Sequence, residues 1–116
     1  MNDQEQQRAC AELDGFIIYH QPQTDIWICH RDNHHVTSCF LESVLVSLPN
    51  YGTSYDAIIP LIQKQPQGAF DFNFIAALNL AGVWSPALEI NMRRLFDFQP
   101  AQLREALLRS TDRWID

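Results

Sequence analysis

The stretch that decides the fold runs from residue 26 to residue 40 and reads IWICHRDNHHVTSCF. Both of its halves contain β-branched and aromatic residues, which favour strands. Asp32 and Asn33 stand between the halves, and both residue types tolerate the positive φ angles of a two-residue hairpin turn. The pattern therefore predicts an antiparallel hairpin with strands at residues 26–31 and 34–40.

The residues before this hairpin extend it into a small sheet. Residues 16–20 (FIIYH) are again β-branched and aromatic, and the turn-like segment 21–25 separates them from the hairpin. We therefore expect a three-stranded antiparallel meander. Residues 3–13 favour a helix by composition and by a narrow apolar stripe at helical spacing, and the pair Asp14-Gly15 is expected to end it.

The second half of the chain contains two further predicted helices. One begins after Thr53 or Ser54 as its N-cap, and Pro60 inside it predicts a kink or a shortened first turn. The other begins at Pro100 and has an apolar side that ends near Trp114. Together with the meander, these helices predict a single α+β domain in which helices cover a small antiparallel sheet.

Three segments have ambiguous patterns. Residues 41–48 are apolar without a clear period. Residues 70–81 fit a strand and a helix, and their alanines and length favour the helix slightly. Residues 85–92 leave two interpretations open, a helix that begins at Ser85-Pro86 or a fourth strand with alternating apolar residues.

Composition excludes several classes of protein. The 8 basic and 14 acidic residues give a net charge of −6, which argues against non-specific binding to nucleic acid or to anionic membranes. No apolar run reaches the roughly 20 residues of a membrane span. The N-terminus is polar and acidic, unlike a signal peptide, and three cysteines do not form a paired disulfide framework. A cytoplasmic protein is expected.

The histidines and cysteines of the hairpin are the main candidates for chemistry. In the register that the turn sets, His30 lies opposite His35 with Cβ atoms about 5 Å apart, and Cys39 shares their face. Cys29 and His34 fall on the other face, so no four zinc ligands meet. The hairpin therefore predicts no intrinsic metal site, no catalytic residue and no cofactor.

Two alternatives stay open at this hairpin. A metal could be held by His30 and His35 if a further ligand came from elsewhere, such as His20 on the neighbouring strand. Cys29 with His34 has the residue types of an activated thiol, although a buried structural cysteine is the ordinary explanation. A small metal-dependent or His/Cys-dependent hydrolase built on the His30/His35 hairpin is thus the alternative to a non-enzymatic function.

Other side chains suggest binding. Arg93 and Arg94 form a basic doublet that could hold a phosphate or carboxylate. The chain also has more amphipathic aromatic residues than a core of this size needs, so Tyr51 and Trp84 are candidates for an interface with a partner or in a homo-oligomer.

Three segments, in this order, carry a resemblance to a known family. They are residues 5–12 (EQQRACAE), residues 48–57 (LPNYGTSYDA), and residues 101–109 (AQLREALLR) followed by Trp114. The chain resembles the small phage and prophage proteins with the phage ABA sandwich domain. It departs from them at Leu103, where an arginine is usual, and in its histidine-rich hairpin.

The resemblance implies a layered helix–sheet–helix (α/β/α) sandwich and a phage or prophage accessory role, without implying a common activity. The leading prediction is a non-enzymatic binding protein. Its partner is expected to be a host protein that it inhibits, or a small anionic signalling ligand that it sequesters in counter-defence. A structural subunit without a ligand is the remaining alternative.

Overall fold

The computed structural model describes residues 1–65, 73–74, 76–78 and 92–115. The elements in chain order are α1 (Asp3–Leu13), β1 (Phe16–His20), β2 (Trp27–Arg31), β3 (His34–Cys39), α2 (Leu41–Ser47), α3 (Tyr55–Gln63), a 3₁₀ helix (Met92–Asp97) and α4 (Pro100–Ser110). Residues 73–74 and 76–78 are also helical. The predicted α+β class is confirmed.

The three strands form one antiparallel sheet in the order β1-β2-β3. Asp32 and Asn33 connect β2 to β3 with φ angles of 53° and 66°. Positive φ at both central residues is the geometry of a type I′ turn, whose twist matches that of the flanking strands. The predicted meander and its two-residue turn are therefore confirmed.

The inner face of the sheet is covered by helices. Phe16, Ile18 and Cys29 point into the core, where they join buried residues of α1 and α2. On the opposite, outer face, the side chain of Ile17 is 59% exposed and that of Tyr19 is 43% exposed. In the described part of the chain, the helices thus pack on one face of the sheet and leave the other face open.

Helix α1 has the predicted bounds. Asn2 accepts a hydrogen bond from the backbone N–H of Glu5, and the Glu5 side chain accepts one from Asn2, which is a reciprocal capping box. At the other end, Gly15 has a φ of 99°, a conformation that glycine adopts without steric cost.

Helix α2 occupies the segment whose apolar pattern was unclear. Val44, Leu45 and Leu48 are buried at helical spacing, as a helix against the sheet requires. Val46, however, is 84% exposed. Because this apolar residue lies on the solvent side, the helical spacing of the buried residues is not recognisable in the sequence.

Helices α3 and α4 follow the sequence pattern closely. Ser54 is the N-cap of α3, and Pro60 lies inside the helix, which continues to Gln63. Pro100 occupies the first turn of α4, where its missing N–H costs nothing.

Two of the ambiguous segments fall mostly outside the described residues. In 70–81, the described residues are helical, as the alanines favoured. In 85–92, only Met92 is described, at the start of the 3₁₀ helix, so the choice between a Ser85-Pro86 helix and a fourth strand lies outside the described residues. None of the helices in the described ranges is both long and apolar enough to cross a membrane.

Candidate functional site

A pair of histidines lies on the outer face of the sheet. His30 in β2 and His35 in β3 are directly opposed in the strand register, as the turn position predicts. Their ring centroids are 5.7 Å apart and the rings are nearly perpendicular, at 87°. The sheet therefore holds two imidazoles in contact on a surface that solvent reaches.

Each imidazole is also held by a hydroxyl group. Nε2 of His30 lies 3.3 Å from the hydroxyl of Tyr19, and Nε2 of His35 lies 2.6 Å from Oγ of Ser38. Within the described ranges, neither Nδ1 atom has a hydrogen-bond partner. These contacts orient both rings and leave one nitrogen of each ring available.

The expected position of Cys39 beside this pair is wrong. A β-bulge interrupts the β2–β3 register next to His30, so Val36 has no opposite residue and the rest of β3 is shifted by one position. Cys39 therefore lies opposite Trp27 on the inner face. Because strand side chains alternate between faces, one extra residue moves every later side chain to the other side of the sheet.

The other proposed ligands and nucleophiles also lie away from the pair. His20 is opposite Trp27, on the other face from His30. Cys29 is fully buried, and burial raises the pKa of its thiol, which disfavours the thiolate that a nucleophile needs. Among the residues that the structure describes, no three or more His, Cys, Asp or Glu side chains are grouped closely enough to hold a metal ion.

A second candidate site is a groove of about 940 Å³ between α1, α2, the 48–53 loop and the start of α4. In the part of the chain that the structure describes, the charged residues that line it are Asp3, Glu42 and Arg104. Its uncharged polar lining comprises Gln4, Gln7, Ser43, Ser47, Asn50 and Thr53, and its larger apolar side chains are Leu45, Val46 and Leu48. The described lining thus combines the basic group of Arg104 with a polar rim and an apolar wall.

Arg104 is the buried charge in this groove, with only 7% of its surface exposed. Its Nε donates to the Gln6 side-chain oxygen at 2.9 Å, and its Nη2 donates to the Asp3 carboxylate at 2.9 Å. The Asp3 side chain itself is 93% exposed. The guanidinium is therefore fixed on the protein side, while its counter-charge stands in solvent.

Gly52 leaves the space that the guanidinium occupies. A Cβ atom at this position would lie 2.2 Å from Nη1 of Arg104, closer than atoms can approach. The backbone of the 48–53 loop thus packs directly on the guanidinium. Loop and side chain together define the end of the groove.

The remaining predicted site residues fall in three different places. Tyr51 is fully buried, and its hydroxyl donates to Asp14, so it lies in the core. Arg93 and Arg94 lie in the 3₁₀ helix Met92–Asp97. Trp84 lies outside the described residues.

The sequence pattern of α4 does not single out Arg104 as a site residue. The structure buries it because the covered face of α4 is wide and includes the consecutive residues Leu103 and Arg104. The sequence contains one indication that this side of the helix is covered, because the apolar residue Leu108 lies one turn beyond Arg104 on the same side. The Gly52 contact and the Asp3 partner come from distant parts of the chain, so spacing alone does not reveal them.

Comparisons with known proteins add no identification. No family model matches this chain, and neither a curated protein nor a solved structure matches it.

Proposed function

We propose that this chain is a binding protein that holds a ligand with one anionic group in the groove, with Arg104 as its anchor. The observation that supports this most strongly is the asymmetry of the Arg104 contacts. Arg104 is only 7% exposed, whereas the side chain of its carboxylate partner, Asp3, is 93% exposed. The buried positive charge is therefore accessible from one side through a partner that can move away.

The energetics favour exchange of that partner. A buried guanidinium needs a counter-charge, because removal of a charge from water without compensation is costly. Because the Asp3 side chain is 93% exposed, its carboxylate stays hydrated whether or not it contacts the guanidinium. A ligand carboxylate or phosphate can replace it and accept a charge-assisted hydrogen bond from Nη2 of Arg104.

The other charges in the groove limit the ligand class. Asp3 and Glu42 line the same groove, and the whole chain carries a net charge of −6. A polyanion would be repelled by both carboxylates. A small molecule with a single carboxylate or phosphate, an apolar part against Leu45 and Val46 and hydrogen-bonding groups for the rim fits the lining better.

The biological setting of this proposal follows from the resemblance to phage ABA sandwich proteins. In that setting, a groove that holds a small anionic molecule would sequester a host signalling ligand in counter-defence. Inhibition of a host protein through an acidic or anionic segment of that protein is the alternative use of the same anchor.

The test is a thermal-shift screen of monoanions followed by calorimetric titration. The screen contains small carboxylates, phosphate monoesters, nucleoside monophosphates and cyclic mononucleotides. A hit should be lost in Arg104→Met and bind more tightly to Asp3→Asn, which removes the internal competitor.

Arg109→Met is the matched control, because Arg109 lies on the same helix but its side chain is 45% exposed. Circular dichroism should confirm that each variant is folded. A panel without any hit, or a hit that Arg104→Met and Arg109→Met bind equally well, would contradict the proposal.

A further inference from the structure

We propose that the outer face of the sheet forms a divalent-metal site shared by two copies of this chain, each of which supplies His30 and His35. Zinc binds imidazole nitrogen and favours four-coordinate sites, so it is the metal that we test. This site is independent of the Arg104 groove, so either proposal can fail without the other.

The spacing of the two imidazoles suits a common metal ion. Zinc lies about 2.0–2.1 Å from an imidazole nitrogen, so two rings on one tetrahedral ion have centroids roughly 5 Å apart. The observed separation between the His30 and His35 centroids is 5.7 Å. A small rotation of the side chains closes this difference, and the paired strands keep the backbone in place.

The hydroxyl contacts orient the rings in the way that metal-binding histidines require. Such histidines usually donate their second ring N–H to a neighbouring acceptor, which fixes the tautomer and the ring direction. Tyr19 and Ser38 place hydroxyl oxygens beside Nε2 of His30 and His35 respectively. When each Nε2–H donates to its hydroxyl, each Nδ1 carries the lone pair that binds the metal.

One chain supplies only half of the ligands. No third His, Cys, Asp or Glu joins the pair within the described part of the chain, whereas a closed zinc site needs four ligands. A two-fold axis through the ion brings the same pair from a second copy and completes the set. Such an interface uses one self-complementary patch on both subunits.

The surface around the pair permits that approach. Ile17 and Tyr19 flank it as exposed apolar and aromatic side chains. The strand residues that share the outer face are Ile17, Tyr19, Ile28, His30, His35 and Ser38, and none of these six is Asp, Glu, Lys or Arg. In a chain with a net charge of −6, this is a face on which two copies meet without direct repulsion between carboxylates.

The experiment is native mass spectrometry and sedimentation velocity on untagged protein, with added zinc chloride or with EDTA. We expect a zinc-dependent dimer with one ion per two chains, which EDTA returns to monomer. The variants His30→Ala and His35→Ala should each abolish both the dimer and the bound zinc.

His20→Ala and His34→Ala are the matched controls, because neither residue shares the outer face with the pair. Both should behave as the wild type. Zinc bound to a monomer, a mass that does not change with zinc, or a dimer that persists in His30→Ala would overturn the proposal. None of these outcomes bears on whether the groove binds anions, which the Arg104→Met variant tests separately.

Discussion

Tyr51 donates a hydrogen bond of 2.7 Å to the carboxylate of Asp14 from a fully buried side chain. The same carboxylate accepts a hydrogen bond from Lys64 at 2.5 Å and has Arg31 at 3.6 Å. Asp14 thus connects the end of α1, the end of β2, the 48–53 loop and the end of α3. Because the loop that carries Tyr51 also carries Gly52, this contact helps to position the groove.

Replacement of Tyr51 by Phe should lower the free energy of unfolding by about 1–2 kcal/mol. The change removes a buried hydrogen bond to a charged acceptor while the ring remains in the core. Urea denaturation is the appropriate measurement. Tyr19→Phe serves as the control, since its hydroxyl is on the exposed sheet face, and it should change stability by less than about 0.5 kcal/mol. Equal effects of the two variants would show that the Asp14 contact contributes nothing.

The elements that sequence reasoning predicted best are those with local signals. The Asp32-Asn33 turn was predicted from residue types that tolerate positive φ. The end of α1 was predicted from Gly15, which adopts a left-handed conformation in the structure. The errors have non-local causes. The β-bulge at Val36 belongs to the pairing of β3 with β2, and it changes the face of Cys39 although no residue type in β3 predicts it. The opposition of His30 and His35 was predictable only because it lies on the turn side of that bulge.

The Arg104 groove shows a second limit of sequence reasoning. Burial of an arginine depends on partners that are far away in the chain, here Asp3 and Gln6, which are 101 and 98 residues away. Periodicity identifies which side of a helix is apolar, but it does not say whether a charged residue at the margin of that side acquires a partner.

Gly52→Ala should disturb the groove without removing a charged group. The new methyl group meets Nη1 and Cζ of Arg104, so the guanidinium must move and its hydrogen bonds with Gln6 and Asp3 weaken. We expect a loss of about 1–3 kcal/mol in the free energy of unfolding, as for an overpacked site. Chemical denaturation gives this value directly.

A double-mutant cycle separates this cause from a backbone effect. In an Arg104→Ala background the clash is absent, so Gly52→Ala should cost less than about 0.5 kcal/mol. A cost that is the same in both backgrounds would mean that Gly52 is required by the loop and not by the guanidinium.

Thiol labelling should distinguish the three cysteines. Cys10 and Cys29 are fully buried, and burial raises the pKa of both thiols, that of Cys10 to about 12, whereas Cys39 is partly exposed. Since the thiolate is the reactive form, native protein should react quickly with a disulfide reagent at Cys39 alone. Unfolded protein should label at all three positions, and Cys39→Ser should show no fast native reaction. Fast labelling of Cys10 in the native state would contradict its placement in the core.

The buried Cys10 thiol and Tyr51 hydroxyl should also make the folded state less stable at high pH. In the unfolded chain the Cys10 thiol ionises near 9.0, whereas burial raises its folded-state pKa to about 12. Above pH 9 the unfolded state therefore binds fewer protons than the folded state, and stability falls as pH rises toward 12. Burial and the hydrogen bond to Asp14 raise the pKa of Tyr51 as well, which adds to the loss as the unfolded tyrosine begins to ionise.

For Cys10 alone, the expected decrease in the free energy of unfolding between pH 8 and pH 10 is about 1 kcal/mol. Urea denaturation at several pH values measures it. Cys10→Ala lowers the free energy of unfolding at every pH because it removes buried volume. Since it also removes the ionisable thiol, its free energy of unfolding should fall by about 1 kcal/mol less than that of the wild type between pH 8 and pH 10. Parallel pH profiles for the wild type and Cys10→Ala would show that the thiol is not protected from ionisation in the folded protein.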